Sequence, residues 1–176
     1  DNFGGAENSL TRWSDQGGPE ILCDYGAAYS MMEYLHGRFG GDAFMSALHV
    51  EQGNGLEGLQ NTLDKFGYRG ITAMEVVHQW QAMMALDYQI DQGAKLKGGA
   101  KRDYTSPTLK SVINFASPQS YESPGAPTNG ADYVRLGDRD GFVNAKRLKA
   151  MTFSGAGSYD PDPLRYYLTA AGPETQ

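Results

Sequence analysis

Glu20 and Asp24 stand four residues apart in the segment PEILCDYGAAYSMMEYLHGRF, residues 19–39. On a helix that spacing stacks two carboxylates on one face. Such a pair can act as a metal ligand and a second carboxylate that supports it. The pattern is weak, because carboxylates four apart are common on helices and Glu20 near a helix N-terminus is already favoured by the dipole. Glu20 is the candidate metal ligand, with Asp24 behind it. The histidines, His36, His49 and His78, are each isolated. A helical zinc site needs two imidazoles four residues apart beside a general base, and HExxH does not occur. Surface or capping roles account for all three. The nucleophile elbow, the phosphate-binding loop and the dinucleotide fingerprint are missing too, so no catalytic and no cofactor-binding residue is assigned.

The single cysteine, Cys23, excludes an internal disulfide framework and any multi-cysteine zinc site. Beside Leu22 on a helical pattern it reads as a small buried apolar residue. The acidic turn GDRDG, with Asp138 and Asp140, lacks the regularly spaced oxygen ligands and closing Glu of a calcium loop and reads as a hairpin turn. A net charge of −6 argues against a nucleic-acid surface, which needs clustered Lys and Arg. The densest basic patch, Lys95, Lys97, Lys101 and Arg102, lies in Gly-rich sequence and reads as a solvated loop. No apolar run reaches the roughly 18 residues a membrane span requires, and no signal peptide opens the chain.

The elements that would position these groups change character near Asp91, which suggests a helical subdomain over 1–90 and a Gly/Pro-rich linker with a β-rich segment over 91–176. Ile21, Leu22, Tyr25, Ala28, Tyr29, Met32 and Leu35 recur at offsets of three and four. They predict a helix over 19–38 that buries this stripe. Gly40 and Gly41 stop it, and Asp42 is the expected N-cap of a second helix ended by Gly53. Asn54 and Gly55 turn the chain into a third helix carrying Leu56, Leu59, Leu63 and Phe66, closed by Gly67. Thr72 and Glu75 form a capping-box signature for a fourth, in which Trp80 reads as a core anchor.

Beyond residue 91, five short β-forming stretches are separated by turn-rich sequence: 104–109, 111–115, 131–136, 150–153 and 164–169. The fold class expected is therefore α+β. A bundle of about four helices is followed by a short-stranded β-sandwich-like segment, which five strands would leave incomplete.

The succession NSLTRW, CDYGAAYSMMEYLHGRFGG, GLEGLQNTLDKFG and VVHQWQAMMALDY resembles the region after the catalytic helix in bacterial secreted zinc metalloproteases of the immune inhibitor A group. Tyr25, Tyr29, Tyr34, Leu35, Gly40 and Trp80 occupy that group's packing positions. The later GAPTNGADYVRLGDRDGF and LKAMTFSGA look like the start of its β-rich domain. The catalytic helix itself is missing from this sequence.

The resemblance implies a noncatalytic structural portion of a secreted or extracellular enzyme, supporting the zinc helix and one wall of the cleft. It implies zinc and a protein substrate for the complete protease, and a catalytic half on the same or a separate chain. This chain alone is expected to be inactive and, lacking its partner, to expose an apolar face prone to self-association. The competing reading is a self-contained protein- or glycan-binding module without enzymatic activity, to which its eleven Tyr and two Trp would lend contact surface.

Overall fold

Caps and left-handed glycines cut the first half of the chain into four helices. The computed structural model describes residues 8–11, 20–93, 100–109, 129–131 and 133, with backbone only for Glu20, 137–138 and 141–142. The chain divides into two compact units, Asp1–Tyr133 and Val134–Gln176. The first contains α1 (Glu20–Phe39), α2 (Gly41–His49), α3 (Gly55–Lys65), α4 (Ala73–Asp91) and one turn of 3-10 helix at Lys101–Asp103.

Gly40 and Gly41 have φ of 132° and 60°, backbone that a side chain would strain, and the chain passes from α1 to α2 within them. Gly40 takes the N-cap position expected for Asp42. Asp42 instead sits exposed in the first turn, 3.0 Å from His36 Nε2. α2 ends at His49 rather than at Gly53, because the following loop is folded around Glu51. Its Oε1 accepts from Gln52 N, Gly53 N and Asn61 Nδ2. The Gly53 amide above all holds this carboxyl below the ordinary carboxylate range. α3 starts behind Asn54, and α4 carries the expected cap, with Thr72 Oγ1 accepting from Glu75 N at 3.0 Å.

The core lies between these helices, with Trp80, Tyr34, Phe39, Phe44, Met31, Leu35 and Leu63 fully buried. Trp80 is the anchor its position predicts. Its Nε1 donates to Ser30 Oγ at 3.2 Å, and Ser30 in turn donates to the Ala27 carbonyl at 3.0 Å. Phe39 stacks on Phe44 and meets Tyr68 edge-on, while Phe44 meets Phe66 edge-on, the geometries aromatic quadrupoles favour.

The buried face of α1 is not the predicted one. Of the expected stripe only Leu35 is buried, whereas Leu22, Tyr25, Tyr29 and Met32 are exposed. The core takes Ala27, Met31, Tyr34, Leu35 and Phe39. Apolar residues occur on both faces of this helix, and the inner face combines them with the small Ala27 and with Ser30, which accepts from the Trp80 indole.

The expected β-sandwich-like segment is corrected. Residues 104–109 are no strand: Ser106 N and Thr108 Oγ1 bond to carboxylates of the bundle, and Pro107 has no N–H to give a ladder. Among the described residues strands occur only as β1 (Gly137–Asp138) and β2 (Gly141–Phe142) in the second unit, a two-rung antiparallel hairpin with Gly137 opposite Phe142. The described structure is thus helical apart from this hairpin, not an α+β fold with a sandwich. The stretches expected at 111–115, 150–153 and 164–169 lie outside the described residues, as does most of 131–136.

Candidate functional site

The open face of α1 is the most distinctive surface of the first unit. Leu22, Tyr25, Tyr29 and Met32 are 55%, 57%, 61% and 40% exposed, although their side chains are large and carry no charge. Their offsets of three, four and three keep them on one side of the helix, a seam about 15 Å long at 1.5 Å per residue. This is the spacing by which one helix seats another. Single exposed apolar residues need no explanation, but a contiguous row of this kind marks a contact surface. Cys23 beside it is a half-buried free thiol.

The Glu20 and Asp24 pair lies on the same helix. Asp24 is buried, and its Oδ1 accepts from Asn8 Nδ2 at 3.4 Å, which ties the segment before α1 to the helix. Glu20 is the first residue of α1. The structure does not gather the histidines around them. His36 pairs with Asp42, His49 is exposed at the end of α2 and His78 is half-buried on α4. Among the described residues no group of three or more His, Cys, Asp and Glu side chains could hold a metal ion. These donors do not by themselves fit a zinc site, so no reaction step is derived through zinc. Of the acidic turn, Asp138 pairs with Gly141 in the hairpin, while Asp140 lies outside the described residues, as do Lys95 and Lys97. Lys101 and Arg102 have exposed side chains.

A second polar arrangement joins α1 and α4 to residues 100–109, and the sequence reading missed it. Arg38 of α1 forms an ion pair with Asp103, both side chains being largely buried. Tyr34 Oη donates to the Asp103 carbonyl at 2.7 Å and lies 3.4 Å from Gln79 Oε1. Burial raises the Tyr34 hydroxyl far above the ordinary tyrosine value, against the opposing pull of Arg38. Asp87 of α4 is fully buried and its Oδ1 accepts from Ser106 N at 3.0 Å. A charged residue inside the apolar run AMMALDYQI was the only sequence signal for this cluster.

An open cleft of about 390 Å³ lies beside this polar cluster, lined among others by Gly37, Arg38, Asp91, Lys101, Arg102 and Pro107. In the described residues no helix is long and apolar enough to cross a membrane. Comparison with protein-family models, with curated proteins and with solved structures finds no match.

Proposed function

We propose that this chain is a noncatalytic helical support within a secreted zinc metalloprotease, and that the open face of α1 packs against the part of the enzyme that carries the zinc helix. The observation behind this reading is the uncharged row Leu22, Tyr25, Tyr29 and Met32, exposed on one side of α1; among the described residues only Val50 and Tyr88 are further large hydrophobics so exposed. The row lies on the helix that carries Glu20 and Asp24. Its helical spacing suits a helix as occupant. By typical side-chain areas the row offers on the order of 500 Å², less than the roughly 800 Å² per side of a stable free complex. A partner held by further contacts suits it better than one binding this row alone. The support role is physical: a metal ligand is placed accurately only when the elements behind it are rigidly packed.

A self-contained binding module is the second reading, favoured by the fact that the inner faces of the helices are filled by this chain's own side chains.

Nitration of tyrosines followed by peptide mass spectrometry separates the two. The isolated chain should react at both Tyr25 and Tyr29. The protein produced in its native host should have both protected and should contain zinc. Equal reactivity in the two preparations, with no zinc in the native one, would leave the module. Protection that disappears on dilution of the isolated chain would assign the face to a second copy instead.

A further inference from the structure

Residues 100–109 cross α1 and α4 and touch both. On α1, Arg38 pairs with Asp103, Tyr34 Oη donates to the Asp103 carbonyl, and Glu33 Oε2 accepts from Thr108 Oγ1 at 2.6 Å. On α4, Asp87 accepts the Ser106 amide. Pro107 lies over Gly37, so close that a β-carbon there would come within 2.7 Å of its ring. Tyr104 packs on Ala82, Leu86 and Ile90, and Leu109 on the main core. Within the segment, Ser106 Oγ accepts from the amides of Thr108 and Leu109, so it docks as a preshaped loop.

Three features set this docking apart from the packing of the helices. Beside the packing of Tyr104, Pro107 and Leu109, it is tied to the bundle by charged and polar side chains, Asp103, Ser106 and Thr108 meeting Arg38, Asp87 and Glu33. An open cleft runs along its edge. The docked state also carries costs of its own. Among the described residues, Asp87 Oδ2 and Arg38 Nε are buried without a hydrogen-bond partner, and a buried ion pair gains little over its solvated state. Opening the segment would rehydrate these groups and remove only Leu109 from the edge of the core around Trp80.

We infer that residues 100–109 form a releasable clasp that locks the C-terminal halves of α1 and α4 together and opens as a unit of its own, before the bundle unfolds. Segments that dock on a core through costly polar groups open at lower free energy than the core itself. The Asp103 side chain is its main hold on α1, and Asp87 its hold on α4. Release uncovers Tyr34, Arg38 and Asp87 and frees the end of the helix that presents the open face. The clasp does not depend on the metalloprotease reading, since it rests only on contacts within the first unit.

Amide hydrogen exchange on the full chain tests it, comparing peptides that cover 104–109 with peptides that cover 74–86. Asp103→Asn removes the charge that Arg38 meets, and Asp87→Leu removes the acceptor of the Ser106 amide without leaving a buried charge. Each should speed exchange over 104–109 about tenfold and leave 74–86 unchanged. Asp87→Leu should do so without lowering the midpoint of global unfolding. If the two regions speed up together by the same factor, residues 100–109 belong to the cooperative core and there is no clasp. The same conclusion follows if neither substitution changes exchange over 104–109.

Discussion

Met31 and Met32 are adjacent, chemically identical and on different faces of α1, and comparing their truncations tests which face is the core. Met31 is 1% exposed and lies in the main cluster, whereas Met32 is 40% exposed. Met31→Ala removes a buried side chain and leaves a cavity that neighbours such as Leu35 and Trp80 cannot fill without moving, a change that costs about 3 kcal/mol. Met32→Ala opens no cavity, because water takes the vacated space. It forfeits part of a transfer term of about 2 kcal/mol and regains a few tenths through the helix propensity of Ala, so its net cost is about 1 kcal/mol or less. With a urea dependence of about 2 kcal/mol per molar, the Met31 variant should unfold about 1.5 M earlier than the parent. The Met32 variant should lie within about 0.5 M of it. Far-ultraviolet circular dichroism follows the helical unit in both. Equal losses, or a larger loss for Met32, would mean that the helix buries the stripe predicted from spacing, and the open face would not exist.

Gly58→Ala should destabilise the α2–α3 connection by about 1 to 3 kcal/mol, since its β-carbon would lie 2.4 Å from the Gly53 carbonyl oxygen; Gly70→Ala, where a β-carbon meets nothing within 4 Å, is the control in the same thermal melts. Alkali should weaken the fold through Tyr34. Burial keeps its native pKa high while the unfolded chain ionises near about 10, so the contribution is complete below that pH and is lost as pH rises above it. Melting temperatures measured between about pH 8 and 11 should therefore fall less steeply for Tyr34→Phe than for the parent.

The helices were legible because their ends are written locally. The Gly40–Gly41 pair, Asn54, Gly67 and Thr72 each act within a few residues of where they stand. The choice of face on α1 was not, because apolar side chains recur on both sides of the helix. Only the tertiary position of Trp80, with its bond to Ser30 fifty residues away, makes the face with Ala27 and Met31 the inner one. The 104–109 stretch carries β-formers but spends its polar groups on Asp87 and Glu33, partners that no local pattern reveals. The same holds for the contact between Tyr34 and Asp103, 69 residues apart. In the candidate site, the sequence showed that Tyr25 and Tyr29 share a helix face with Leu22 and Met32. It could not show that the bundle would close without them.

The intact mass and zinc content of the protein purified from its native source bear most directly on the support role. A zinc-containing polypeptide larger than 19.1 kDa, or a tightly bound second chain that brings the zinc, is the expected result. A zinc-free protein of 19.1 kDa with no partner would contradict it and make the chain an independent binding module.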